Sequence, residues 1–166
     1  MPRISVADAG GHNRLVFLDL IGFSEGTVTD PVTKDDGYDV IVTGVDGFHR
    51  FNDYRDHPNL LVVVNTSGLA STAAGRYQLL HRYWVVYKQQ LKLPDFSPVS
   101  QDKVALQQIK EQGALASIDV GNIAKAILKC SNIWASFPGN GYGQHQNQVA
   151  VLVKKFQELG GIITTT

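Results

Sequence analysis

The sequence predicts an α+β fold that is mainly helical and carries a small antiparallel β lobe. Three observations predict it: an apolar segment of helical spacing near the start, a β-rich and turn-rich stretch over 37–66, and a run of amphipathic helical patterns from residue 71 onward. The 166 residues, 43% hydrophobic, are enough to bury a sizeable core and short enough for one domain. The expected organisation is a loose N-terminal arm over 1–12, ending in "DAGGH", and a single domain over 13–166.

The first helix starts with Asn13 as its cap. Phe17, Leu20 and Ile21 fall a turn apart, Leu18, Ile21 and Glu25 share a second i, i+3, i+7 row, and Gly26 stops the helix. The β lobe follows: "GYDVIVTG" and "LLVVVN" read as strands, and "GVDGFHRFNDYRDHPN" between them is rich in turn formers. The pattern turns helical over Ser71–Leu91. Another helix begins near Ser100 in "SQDKVALQQIKEQG", with a cap, an early acid and a terminal glycine, and two more lie in "DVGNIAKAILKC" and "QNQVAVLVKKFQELGG".

Charge and cysteine content narrow the functions. Lys plus Arg and Asp plus Glu number 15 each, so no net field favours nucleic acid or an anionic membrane; a neutral polymer suits the chain better. The single cysteine, Cys130, excludes an internal disulfide and a cysteine-based zinc cluster, and reads as a small buried hydrophobe. "LVFLDLIGF" is interrupted by Asp19 and is neither a secretory signal nor a membrane span, so synthesis in a reducing cytoplasm is expected, with no stable membrane insertion. No heptad repeat is evident, and a monomer is the default.

Glu25 is the leading candidate for chemistry. A carboxyl on the inward side of an apolar helix, close to the helix's negative end, is expected to have a raised pKa and to serve as a general acid and then a base. Spacing alone favours a surface acid in the last helical turn, where many helices end in one. "STAAGRYQLL" mixes small residues and Gly75 with a charge, a ring and an amide at Arg76, Tyr77 and Gln78, a combination suited to sugar hydroxyls and C–H faces; taken alone it also reads as a capped helix start with Tyr77 in the core. His49, Asp53, Asp56 and His57 match no metal-ligand spacing, and neither a metal nor a cofactor is expected. "GNGYG" at 139–143 lacks the strand that a nucleotide-binding loop needs, and Trp84 and Trp134 read first as core.

The blocks "FSEGT", "DGYDVIVTG", "DYRDHP", "STAAGRYQLL", "DFSPVSQDKVALQQIKEQGAL" and "CSNIWASFPGNGYGQ" occur in an order and spacing that resembles the bacteriophage lambda endolysin family over roughly residues 14–161. The resemblance implies a lysozyme-like fold, with the β lobe flanking an active-site groove, and lytic transglycosylase activity on peptidoglycan glycan strands. It implies that Glu25 is the sole catalytic acid/base and that Ser71, Thr72, Arg76, Tyr77 and Gln78 line the groove opposite it. Tyr38 and Asp39 would belong to one groove wall and Tyr142 to the other. A phage or prophage origin would place the protein in the host cytoplasm on synthesis, with a holin or another release system giving access to the wall. Departures from the family are the longer N-terminal arm, Phe23 just before the motif, and a neutral rather than basic charge. Two other functions fit the same residues: a hydrolytic muramidase that pairs Glu25 with an aspartate, Asp39 first among Asp30, Asp35, Asp36 and Asp39, and a non-catalytic glycan-binding protein. Asp39 reads equally well as a strand-end residue bonded to backbone.

Overall fold

The computed structural model describes residues 1–139 and 147–164. Within them the elements run α1 (Val6–Ala9), α2 (His12–Ser24), a 3-10 turn (Thr27–Thr29), β1 (Val40–Gly44), β2 (Gly47–Arg50), β3 (Val62–Val63), β4 (Ala70–Ser71), α3 (His81–Gln90), α4 (Pro98–Glu111), α5 (Leu115–Asp119), α6 (Ile123–Cys130) and α7 (Val149–Glu158). The expected order of helix, β lobe and helices is present. The chain divides into two compact units, Met1–Ser24 with Ala105–Thr166, and Glu25–Val104.

The first unit is helical. Val16, Phe17, Leu18, Leu20 and Ile21 of α2 are all buried, as are Ile109, Ile118, Ile127, Cys130, Leu152 and Phe156 of the same unit. Phe17 meets Phe137 edge-on at 6.0 Å between ring centres. Burial pushes the Cys130 thiol up to about 12, so it is a packing group and no nucleophile.

Two expectations fail in this unit. Residues 1–12 are not a loose arm: Ser5 caps α1 by accepting the Asp8 N–H at 3.0 Å, Gly10 closes it at φ +90°, and Ile4 and Ala9 are buried. Asn13 does not cap a helix. It lies inside α2, where its amide donates to the carbonyls of Ile118 and Ile162 and accepts the Ile162 N–H at 2.9 Å, fastening the C-terminal tail. A local cap could satisfy one backbone group; this long-range use satisfies three.

The second unit holds the β lobe. β1 and β2 pair antiparallel with Val40 opposite Arg50 and Gly44 opposite Gly47, and the register shifts between Ile41 and Gly44. β3 and β4 pair as Val62 with Ser71 and Val63 with Ala70. Ile41, Phe51, Ala74, Leu79, Trp84, Leu93, Phe96 and Val104 form its core.

Helix does not start at Ser71. β4 ends there, residues 72–80 form a loop, and α3 begins only at His81. The loop spends its backbone on β1: Val42 N–H donates to the Ala73 carbonyl at 3.0 Å and Gly75 N–H to the Val40 carbonyl at 2.8 Å. Gly75 and Gln78 also sit at φ +79° and +51°, which a right-handed helix cannot contain. A side chain at Gly75 would collide with the Gln101 amide, so this loop requires glycine there. α4 starts at Pro98, near the expected Ser100, since proline suits a first helical position; α5 is too short to have left a periodic signal.

Candidate functional site

α2 ends at Ser24, and Glu25 occupies the turn immediately after it, half-buried. Gly26 follows at φ +76°, the left-handed stop expected there. Glu25 therefore lies beyond the end of the apolar helix rather than on its inward face. The next element, the 3-10 turn, buries Thr27, whose hydroxyl donates to the Arg76 carbonyl at 2.7 Å. That bond brings the Glu25 turn and the 72–80 loop together.

The loop presents a limited set of groups. Ser71, Thr72 and Gln78 are partly exposed. The Ser71 hydroxyl oxygen accepts the Ala73 N–H at 3.1 Å, and that of Thr72 accepts the His81 N–H at 3.1 Å, which caps α3 from nine residues upstream. In both bonds the hydroxyl acts as acceptor, and its O–H remains available as a donor. The Gln78 amide donates to the Gly75 carbonyl at 3.0 Å, and its carbonyl oxygen is an acceptor.

Three residues expected to line a groove are buried instead. Tyr38, Arg76 and Tyr77 are 0%, 1% and 4% exposed, too enclosed to touch a polymer. Their role is to brace. Tyr38 and Tyr77 both donate their hydroxyls to Asp102 Oδ1, at 2.7 and 2.6 Å, with their rings edge-on at 6.3 Å. Burial, and then the Asp102 charge, push both phenols far above their ordinary range, so they remain O–H donors. The Arg76 guanidinium lies 5.1 Å from the centre of the Tyr38 ring, donates to the Asp36 carbonyl at 2.7 Å and pairs with the Asp36 carboxylate at 2.8 Å. The pairing and the aromatic face compensate the burial of its charge.

Asp39 is also buried and committed. Its carboxylate accepts the Thr33 hydroxyl at 2.5 Å and the Lys34 N–H at 3.0 Å, and lies 3.6 Å from Arg50. The strand-end reading of Asp39 describes this geometry. The other aspartates of the approach are similarly used: Asp30 accepts the Val32 N–H, and Asp35 accepts the Tyr54 hydroxyl at 2.6 Å. Tyr142 lies outside the described residues.

Sequence reasoning missed Thr27, Gln101 and Asp102. Gln101 accepts the Arg76 N–H at 2.9 Å and donates to the carbonyls of Tyr38 and Phe96, so one side chain ties three segments together. "SQD" at 100–102 has the composition of a solvated first turn, yet all three residues are buried. Only their contacts distinguish them from ordinary capping residues.

The His and Asp residues over 49–57, which match no metal-ligand spacing, are held by other groups. Asp53 is bound by Arg55, the Trp84 indole N–H donates to Asp56 at 2.6 Å, and His49 pairs with Asp46. Trp84 and Trp134 are core residues, 1% and 3% exposed. A cleft of about 420 Å³ lies against Phe51, Asp53, Arg55 and His57, and none of the site candidates lines it.

His57 is buried between these groups and the 72–80 loop. Its Nε2 donates to the Leu79 carbonyl at 2.8 Å and its Nδ1 accepts the Asn59 N–H at 3.0 Å, which fixes the neutral tautomer. Burial lowers its pKa, reinforced by the neighbouring His81 and opposed by the Leu79 and Asp56 contacts. The unfolded chain then binds this proton more tightly than the folded one, so acid favours unfolding. The stability that neutral His57 supplies is full above its unfolded value of roughly 6.5 and is lost as pH falls from there through the lower folded value. Urea midpoints measured between about pH 7 and 5 should fall less steeply for His57→Gln than for the wild type; equal slopes would show that other groups dominate.

The described residues contain no helix long and apolar enough to cross a membrane, and no group of three or more His, Cys, Asp or Glu placed to hold a metal ion. The Endolysin family profile matches residues 15–163. The chain is 55% identical to the endolysin of Escherichia phage lambda over 153 residues, covering 92% of this chain and 94% of that one. It is 51% identical to the endolysin of Escherichia phage P2 over 156 residues, covering 91% and 94%. Among solved structures, bacteriophage lambda lysozyme complexed with a chitohexasaccharide superposes with a TM-score of 0.86 at 52% identity, over 99% of this chain and all of that one. A second structure of lysozyme from bacteriophage lambda gives 0.82 at 51% identity, with the same coverage. The helices and small antiparallel sheets are those of the lambda lysozyme fold, and the chain belongs to the endolysin family.

Proposed function

We propose that this endolysin degrades bacterial cell wall as a peptidoglycan lytic transglycosylase, with Glu25 as its single general acid/base. The observation that carries the reading is the state of the carboxylates. Glu25 stands half-exposed at the turn after α2, and Asp39, first among the candidates for a second carboxylate, is buried and holds the Thr33 hydroxyl, the Lys34 N–H and Arg50. A hydrolase of the two-carboxylate kind needs a second group able to act on water or on the sugar. A transglycosylase does not.

In this reaction Glu25 gives its proton to the oxygen of the MurNAc–GlcNAc β-1,4 bond as the bond from C1 breaks. The resulting carboxylate takes the proton of the muramic acid C6 hydroxyl as that oxygen bonds to C1. The glycan is left with a 1,6-anhydro end and a free GlcNAc hydroxyl, with no water consumed. The nucleophile is tethered to its target, which supplies much of the entropic advantage that a bound water would lack. The O–H groups of Ser71 and Thr72 and the Gln78 amide are the loop's contacts for sugar hydroxyl and N-acetyl groups. The solved complex of lambda lysozyme with a chitohexasaccharide supports a glycan as the ligand. Tyr142 is proposed as a further contact for the glycan. The protein is proposed to act as a monomer, made in the host cytoplasm and reaching the wall through a holin or other release system.

Mass spectrometry of the fragments released from purified peptidoglycan tests the chemistry. The expected products are muropeptides one water lighter than those with reducing ends, absent with Glu25→Gln. Reducing ends would instead establish hydrolysis and return Asp39 to consideration. Absence of products with retained glycan binding would establish a binding protein.

A further inference from the structure

The turn that carries Glu25 is anchored two residues downstream by a side chain with no evident part in substrate contact. Thr27 is 2% exposed, and its hydroxyl donates to the Arg76 carbonyl at 2.7 Å. That carbonyl belongs to a residue immobilised on both sides: its own N–H is held by Gln101 and its guanidinium by Asp36 and the Tyr38 ring. Gly37 also packs closely against Thr27. A Cβ at Gly37, which sits at φ +88°, would lie 2.9 Å from the Thr27 carbonyl carbon and 3.0 Å from its Oγ1. Between this anchor and Glu25 there is only Gly26, exposed, at φ +76°, with nothing within 4 Å of where its Cβ would be. The Gly26 carbonyl accepts the Thr29 hydroxyl at 3.3 Å, a bond within the same turn that leaves the turn free to move as a whole, and Thr27 is the nearest residue downstream of Glu25 whose side chain ties it to another segment.

We propose that Thr27 is a positioning residue for Glu25, its hydroxyl locking the turn to the Arg76 carbonyl so that the carboxyl is presented at one place relative to the 72–80 loop. The proposal rests on the reading of Glu25 as the acid. Its physical basis is leverage. Gly26 adopts many backbone angles at little cost, so small rotations there carry the carboxyl of Glu25 by an ångström or more. A misplacement of about 1 Å at a reacting group costs on the order of 100-fold in rate. The bond is also selective for a hydroxyl: valine has the same shape as threonine and cannot donate.

The test measures kcat and KM on soluble glycan strands for Thr27→Val, Thr27→Ser and Glu25→Gln, together with calorimetric binding of chitohexaose. Thr27→Val is expected to lower kcat about 10- to 100-fold with KM and chitohexaose affinity within about twofold of wild type, and Thr27→Ser to restore most of the loss. A merely structural threonine would lower stability while leaving the kcat of the folded enzyme intact. A kcat of Thr27→Val within twofold of wild type, or equal losses for the serine and valine variants, would overturn the assignment. If Thr27→Val fails to fold, Thr27→Ala against Thr27→Ser reads the same single oxygen. Turnover retained by Glu25→Gln would instead overturn the reading of Glu25, and the positioning role with it; an inactive Glu25→Gln beside a fully active Thr27→Val overturns the positioning role alone.

Discussion

Glu25→Gln is expected to reduce turnover of glycan strands by at least about 1000-fold while leaving the fold and glycan affinity nearly unchanged. The same carboxyl is asked both to give and to take a proton, and general acid–base catalysis by one positioned group contributes roughly 10²- to 10⁴-fold. Glutamine preserves shape and hydrogen bonding but cannot cycle a proton. Because Glu25 is half-exposed in a turn rather than packed in the core, its loss removes little burial. Single-turnover rates, with chitohexaose binding measured alongside, separate the two quantities. Residual activity above about a tenth of wild type would mean that another group carries the proton.

The largest effect on stability is expected at Asp102. Its Oδ1 receives two phenolic hydroxyls at 2.7 and 2.6 Å, from side chains that are themselves buried. Each hydrogen bond to a charged acceptor is worth about 1.5–3 kcal/mol, and a buried donor left without one carries its full desolvation cost. Asp102→Ala should therefore destabilise the protein by about 3–5 kcal/mol, read from urea unfolding midpoints. Coupling provides the sharper check. Tyr38→Phe removes a donor, so it should cost clearly less in the Asp102→Ala background than in the wild type, where it breaks an intact bond. Strictly additive losses would show that the tyrosines do not depend on this acceptor.

These two residues show how differently the chain discloses its parts. Glu25 stands out as a candidate because it follows an apolar row and precedes a glycine stop, and because "FSEGT" belongs to an ordered set of family blocks. Asp102 looked like an acid in a solvated first turn. Nothing in its spacing indicates that Tyr38 and Tyr77, dozens of residues upstream, would enclose it. The same limit explains the inverted roles of Tyr38, Arg76 and Tyr77. Residue type suggested sugar contacts, but type does not say which way a side chain points when the loop's backbone is committed to β1. The helical reading of 71–80 failed for a related reason: local propensity favoured a helix, and pairing with β1 through Gly75 and Ala73 won.

By itself the sequence determined what depends on neighbours along the chain and on composition. The apolar periodicity of α2, α6 and α7, the β-rich segment, the glycine stop after Glu25 and the family's blocks all act over a few residues, where spacing and side-chain chemistry dictate conformation. The tertiary structure alone decided which polar residues are buried. The Thr27 tether, the Gln101 bridge, the two tyrosines on Asp102 and the Asn13 clasp join positions 25–149 residues apart. A buried polar group must find its partner wherever the fold brings one, and that partner's identity is a property of three-dimensional proximity that no local pattern encodes.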